Sequence, residues 1–224
     1  MIIKKLLATK NILKIGHNPL LNPVKPKMLP DIFSHNICKQ KCLNALRGEN
    51  PHEMAIIIDK LSGKILSEFS GDLTKCSLSL PKNASPLVIV HGHPPVNGRT
   101  LPVSIQDFIL MNDSNVQKLV AYNQKGQEAY LQKKVNFKPL NKNQIEQLKI
   151  AYLRHILSNA SPEKVDKVKV LIKYCIKNKN AKLIKQEIAE NLNELQFSTS
   201  GLVDKFWKQN APKLNLEYFS NFDK

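Results

Sequence analysis

The strongest periodic signals lie between residues 51 and 135. The run EMAIIID (53–59) is strand-like, the LSGK that follows carries a turn glycine at Gly63, and KILSEF alternates. Together they predict a hairpin over residues 53–69. CSLSL (76–80) also alternates and is expected to continue the sheet. LVIVH (87–91) is apolar and β-branched, the pattern of a buried strand. A loop with Pro94, Pro95, Gly98 and Pro102 follows, then a helix start in SIQDFILMND (104–113). VQKLVAYN and EAYLQKK read as two strands around a turn at Gly126. Strands, then a helix, then strands predict an α+β fold: a mixed β-sheet with a helix packed on it.

The flanks have a different texture. Residues 1–30 form a separate basic segment. Ile2, Ile3, Leu6, Leu7, Ile12, Leu13 and Ile15 are interspersed with Lys4, Lys5, Lys10 and Lys14, and Pro19, Pro23, Pro26 and Pro30 then interrupt any helix. A frayed helix and flexible linker is the expectation, with a targeting or membrane-surface segment as the alternative. Residues 31–50 read as a short helix stopping near Gly48, with Ile37, Leu43 and Leu46 on one face. Cys38 and Cys42 share that face and are expected as buried structural thiols; a metal site there would need two further ligands, for example His35. Residues 140–224 read as an all-helical C-terminal region in four segments: NQIEQLKIAYLRHILSN, SPEKVDKVKVLIKYCIKN, AKLIKQEIAENLNEL and STSGLVDKFWKQNAP. Phe206, Trp207, Tyr218 and Phe219 are expected as core of this tail.

Charge adds a prior on partners. The 224 residues hold 34 Lys and Arg against 18 Asp and Glu, a net charge of +16, and from residue 132 onward the count is 18 against 9. Such a balance raises the prior for nucleic acid, acidic lipid or an acidic protein as partner, nucleic acid not being the favoured one, and a Lys-, Asn- and Ile-rich chain equally fits an AT-rich genome. Only Arg47, Arg99 and Arg154 are arginines, which weighs against bidentate base recognition. No apolar run reaches the roughly 20 residues of a membrane span. Four cysteines without a CxxC pair point to a reducing compartment rather than a disulfide scaffold.

The chemistry concentrates in HGHPPVNGRTLPVSIQDF, residues 91–108. His91 closes the apolar strand and His93 lies two residues on, so both rings point to the same side of an extended chain. Two imidazoles there make half of a zinc site. Ser104 opens the next helix and places Asp107 in its first turn, where the carboxylate can face back as a third ligand. Three protein ligands with an open position for water build a catalytic zinc centre. Such a centre also needs a base, and Glu53, at the start of a strand of the same sheet, is the candidate. Taken singly, Ser104-x-x-Asp107 is also an ordinary capping box. His17, His35, His52 and His155 have no comparable context.

Glu53, His91-Gly-His93-Pro94 and Ser104-x-x-Asp107 together resemble the signature of the JAMM (MPN-type) zinc metalloproteases. The surrounding text, EMAIIIDKLSGKIL with Gly71-Asp72 and the tail DKFWKQNAPKLNLEYFSN (204–221), is similar to the bacterial and phage-associated branch, including RadC-like and toxin-associated members. The resemblance covers residues 48–135 and implies a cytidine-deaminase-like architecture over a domain at 51–135. It implies Zn2+ as cofactor, with His91, His93 and Asp107 as ligands, Glu53 as general acid/base and Ser104 as a donor to the developing oxyanion. The implied substrate is a protein or peptide, including ubiquitin-like conjugates, in the cytoplasm or in a host cell reached as a secreted effector. One departure is the loop. Nine residues separate Pro94 from Ser104 where the common eukaryotic pattern has six, and Arg99 within it is a candidate for substrate contact. Two alternatives stand beside the peptidase: a catalytically inactive scaffold whose basic tail binds nucleic acid or an acidic partner, and an assembly component whose C-terminal helices hold a partner.

Overall fold

The computed structural model describes residues 31–73, 76–81, 86–96, 98–160 and 200–222, with 162, 163 and 166. The basic segment 1–30, nearly all of the two helices expected between 161 and 199, and Cys175 lie outside the described residues. In chain order the elements are α1 (Asp31–Arg47), β1 (Met54–Asp59), β2 (Ile65–Ser70), β3 (Leu87–Gly92), α2 (Ile105–Met111), β4 (Val116–Tyr122), β5 (Glu128–Lys133), α3 (Lys142–Asn159), α4 (Ser200–Asn210), a 3-10 turn (Pro212–Leu214) and β6 (Leu216–Ser220).

The strands form one mixed six-stranded sheet in the order β2-β1-β3-β4-β5-β6. Only β3 and β4 run parallel; every other neighbouring pair is antiparallel. The parallel pair needs a crossover, which α2 supplies. β3 sits between β1 and β4 and is buried along its whole length, as its unbroken apolar run requires. β2 lies on the sheet edge and alternates between half-buried and exposed.

Two apolar cores lie on opposite faces. On one, Cys38 and Cys42 of α1 pack against Ile56, Val88, Val90, Val120 and Tyr122. On the other, Phe108 of α2, Tyr152 of α3 and Phe206 and Trp207 of α4 cover Ile89, Leu119, Leu131 and Leu216. The period of two along each strand sorts the side chains. In β3, Val88 and Val90 face α1, whereas Ile89 faces the other helices, and His91 shares the side of Ile89.

Gly92, between the two histidines, faces α1. A Cβ there would meet the Leu46 side chain at 3.0, 3.1 and 3.2 Å. Gly92→Ala is therefore expected to cost about 1–3 kcal/mol by overpacking, and to cost less in a Leu46→Ala background. Urea denaturation of the four proteins of that cycle measures it; equal costs in both backgrounds would show that Leu46 does not limit the space.

Ile37 is exposed although Leu43 and Leu46 are buried, Phe219 is exposed rather than core, and two larger expectations change. The region from 140 onward is not all helix: Leu216–Ser220 is a strand, antiparallel to β5 from Ala129↔Ser220 to Lys133↔Leu216. Pro212 opens the 3-10 turn and Asn215 takes a left-handed conformation at φ 54, which together redirect the chain onto the sheet. Asn tolerates that region better than most residues. Phe219 and Tyr218 accordingly sit on a strand, Phe219 beside Tyr130 at 5.4 Å between ring centroids. Phe206 and Trp207 are core residues of α4 as expected. The second change is at 76–80, which forms no strand; Leu78 and Leu80 instead pack against the core on the α2–α4 side. This segment packs its half-buried leucines over the sheet rather than extending it past the open edge of β2. No described helix is long and apolar enough to cross a membrane.

Candidate metal centre

Register brings the distant acid to the histidines. β1 is antiparallel to β3 with Ala55 opposite His91, so Glu53, two residues before Ala55, falls beside His93 on the same face. The Glu53 backbone is tied to the chain leaving β2: its N–H donates to Asp72 O at 2.8 Å and its carbonyl accepts from Gly71 N at 2.8 Å. The Cys76 backbone N–H donates to its carboxylate. One ligand atom each from Glu53, His91 and His93 lies within 4.8 Å of the others, and both histidines are buried.

Asp107 reaches the same point from α2. Its Oδ1 is 3.2 Å from His91 Nε2 and its Oδ2 is 3.6 Å from His93 Nε2. The Ser104 N–H donates to Asp107 Oδ2 at 2.6 Å, and Ser104 Oγ accepts from the Asp107 N–H at 3.2 Å. The capping box is therefore present, and it holds the carboxylate that meets the imidazoles. The two readings of Ser104-x-x-Asp107 are one arrangement: the cap positions the aspartate. Ser104 Oγ serves as the cap acceptor, and its own hydroxyl hydrogen is not used by that contact.

The donor set suits a cation. His93 Nδ1 lies 2.8 Å from the carbonyl oxygen of Leu101. A carbonyl only accepts, so Nδ1 carries the hydrogen and Nε2 presents a bare lone pair, the tautomer of a metal-ligating histidine. That lone pair faces His91 Nε2 at 2.7 Å. The contact requires either a proton on His91 Nε2 or a cation shared by both rings. His91 Nδ1 is buried without a hydrogen-bond partner. Two nitrogens with one or two carboxylates is a zinc-type ligand set.

Electrostatics separate the two carboxylates. Burial pushes the Glu53 carboxyl up to about 7; His93 and the Cys76 N–H oppose this, while Asp107 and Asp72 add to it. Burial would raise Asp107 as well, but the charge and hydrogen bond of His91, with His93 and the Ser104 N–H, hold its carboxyl well below the usual range. A raised and a lowered acid side by side are the pattern of a proton-transfer group next to a permanent anion.

The five residues singled out in the sequence, Glu53, His91, His93, Ser104 and Asp107, thus come together at one end of the sheet. Glu53 is close enough to the imidazole nitrogens to count among the ligands as well as to serve as base. Arg99 is exposed, on a tight turn in which Val96 and Arg99 exchange backbone hydrogen bonds of 2.8 and 3.1 Å around Gly98 at φ +73. The Cys38/Cys42 pair lies on the opposite face of the sheet. Burial pushes these thiols up to about 11 and about 12, as expected of packing groups. His35 does not join them: its Nε2 meets Tyr122 Oη at 2.5 Å.

Residue patterns could not announce the Leu101 carbonyl or the Cys76 N–H, because backbone groups are common to every residue. Tyr152 of α3, fully buried, also lies near Asp107, and burial together with that charge pushes its phenol up. No protein-family model matches the chain, and searches of curated proteins and of solved structures return no match either.

Proposed function

We propose that the chain is a zinc-dependent peptidase or isopeptidase of the JAMM type, hydrolysing a peptide or ubiquitin-like isopeptide bond with a metal-activated water. One observation carries the reading. Glu53, His91 and His93 place one ligand atom each within 4.8 Å of one another, and Asp107, from a helix start, lies 3.2 and 3.6 Å from the two imidazole nitrogens. The cytidine-deaminase-like architecture belongs to the same proposal, supported by the mixed sheet and by the helix that follows the HxH strand end.

His91, His93 and Asp107 would hold the ion. Zinc supplies Lewis acidity, acidifying water and polarising a carbonyl. The protein does the rest. Leu101 fixes the His93 tautomer, and the Ser104 cap aims Asp107. Glu53 takes the proton of the attacking water and returns it to the departing amine. Ser104 Oγ, with its hydrogen free of the cap, is placed to donate to the substrate oxygen. Because water attacks directly, no side chain is acylated.

The test is the purified full chain. About one zinc per chain by elemental analysis, with cleavage in a panel of peptides and ubiquitin chains, is the expected result. A folded protein that takes up no zinc on supplementation would sink the proposal.

A further inference from the structure

The loop between the two halves of the centre is held from outside it. Residues Leu101 to Ser104 carry three tethers within four positions. Leu101 O holds His93 Nδ1 at 2.8 Å, Ser104 caps Asp107, and between them Val103 O accepts from Trp207 Nε1 at 2.7 Å. That last bond joins positions 104 apart in sequence. Val103 and Trp207 are both fully buried. The indole ring also lies 5.6 Å from Phe108, the residue after Asp107, and 5.3 Å from Phe206. Phe206 in turn meets Tyr152 edge-on at 5.1 Å.

We infer that Trp207 is a positioning residue for the metal centre, acting through the Val103 carbonyl to hold the loop that sets both the His93 tautomer and the Asp107 cap. The inference rests on the metal-centre reading above. Its physical basis is the cost of a buried carbonyl. Without the indole N–H, Val103 O loses the buried donor that the described residues give it, and the loop must move to find another. Its neighbours two before and one after are the groups that orient the ligands. Loss of such outer partners weakens metal binding by roughly 10–100-fold.

Trp207 is the single tryptophan of the chain, so the tryptophan emission reports the surroundings of this indole. The experiment uses the full chain, stripped with a chelator and titrated with Zn2+. Binding is followed by equilibrium dialysis and by tryptophan fluorescence, with Trp207→Phe and Phe206→Leu as the two variants. Phe206→Leu trims the same aromatic cluster without touching Val103 O. The expected result has three parts: a change in wild-type emission that saturates with zinc binding, a zinc Kd raised about 10–100-fold in Trp207→Phe, and a near-wild-type Kd in Phe206→Leu despite a lower Tm. Equal losses of affinity in both variants would overturn the inference in favour of general core softening. If Trp207→Phe does not fold, the wild-type emission decides: an unchanged spectrum while dialysis shows zinc bound overturns the inference alone. No zinc on the wild type overturns the metal-centre reading and the inference with it.

Discussion

Zinc is expected to be lost when His91 and His93 are both replaced by alanine, while the sheet and helices remain. Among the described residues the two imidazoles are the nitrogen ligands of this cluster, 2.7 Å apart and buried. Their removal leaves Glu53 and Asp107, and two oxygens make a poor zinc site. The loss in affinity should far exceed the roughly 10–100-fold that follows loss of one outer partner. The strand itself should survive. His91 pairs with Ala55 and Ala121 through backbone groups that alanine keeps, and the His93 N–H to Tyr122 O bond of 2.8 Å is equally indifferent to the side chain. Elemental analysis beside far-UV circular dichroism checks both halves. Zinc retained at wild-type stoichiometry would place the ion elsewhere.

Glu53→Gln should separate binding from chemistry. Glutamine keeps the size of the side chain and the backbone bonds to Gly71 and Asp72, but it cannot take a proton. The hydrolysis rate should fall by about 10²–10⁴-fold, the range for loss of a positioned general base, with zinc content and Tm nearly unchanged. Undiminished activity would remove Glu53 from the mechanism. Loss of zinc in this variant would assign Glu53 to the ligand set, a role its distance to the imidazoles permits.

The legible part of this molecule is the part governed by local period. EMAIIID and LVIVH announced buried strands, and the period of two put His91 and His93 on one side. Ser104-x-x-Asp107 announced a helix start, because capping is a contact three residues long. What escaped depended on distant partners. The five residues LEYFS become a strand because β5 offers an edge 83 to 91 residues upstream, from Lys133↔Leu216 to Ala129↔Ser220, and nothing in their own short pattern requires it. CSLSL alternates like a strand but packs its leucines over the sheet instead of pairing at its edge, so alternation alone misleads. At the site, the side chains were readable from spacing, whereas the Leu101 carbonyl that orients His93 and the indole that braces Val103 were not.

The bond between Val103 and Trp207 also sets an order of events during synthesis. All four side chains are translated before the brace, which comes 104 positions after Val103. At roughly 5–20 residues per second, the interval is on the order of 5–20 s. Over that interval a nascent chain displays its complete set of acids and imidazoles on an unbraced loop, and β5 remains an open edge because β6 has yet to be made. The proposed centre would therefore be completed late in synthesis, and a ribosome stalled between Asp107 and Trp207 would hold all four side chains without the indole that accompanies Val103 in the folded chain.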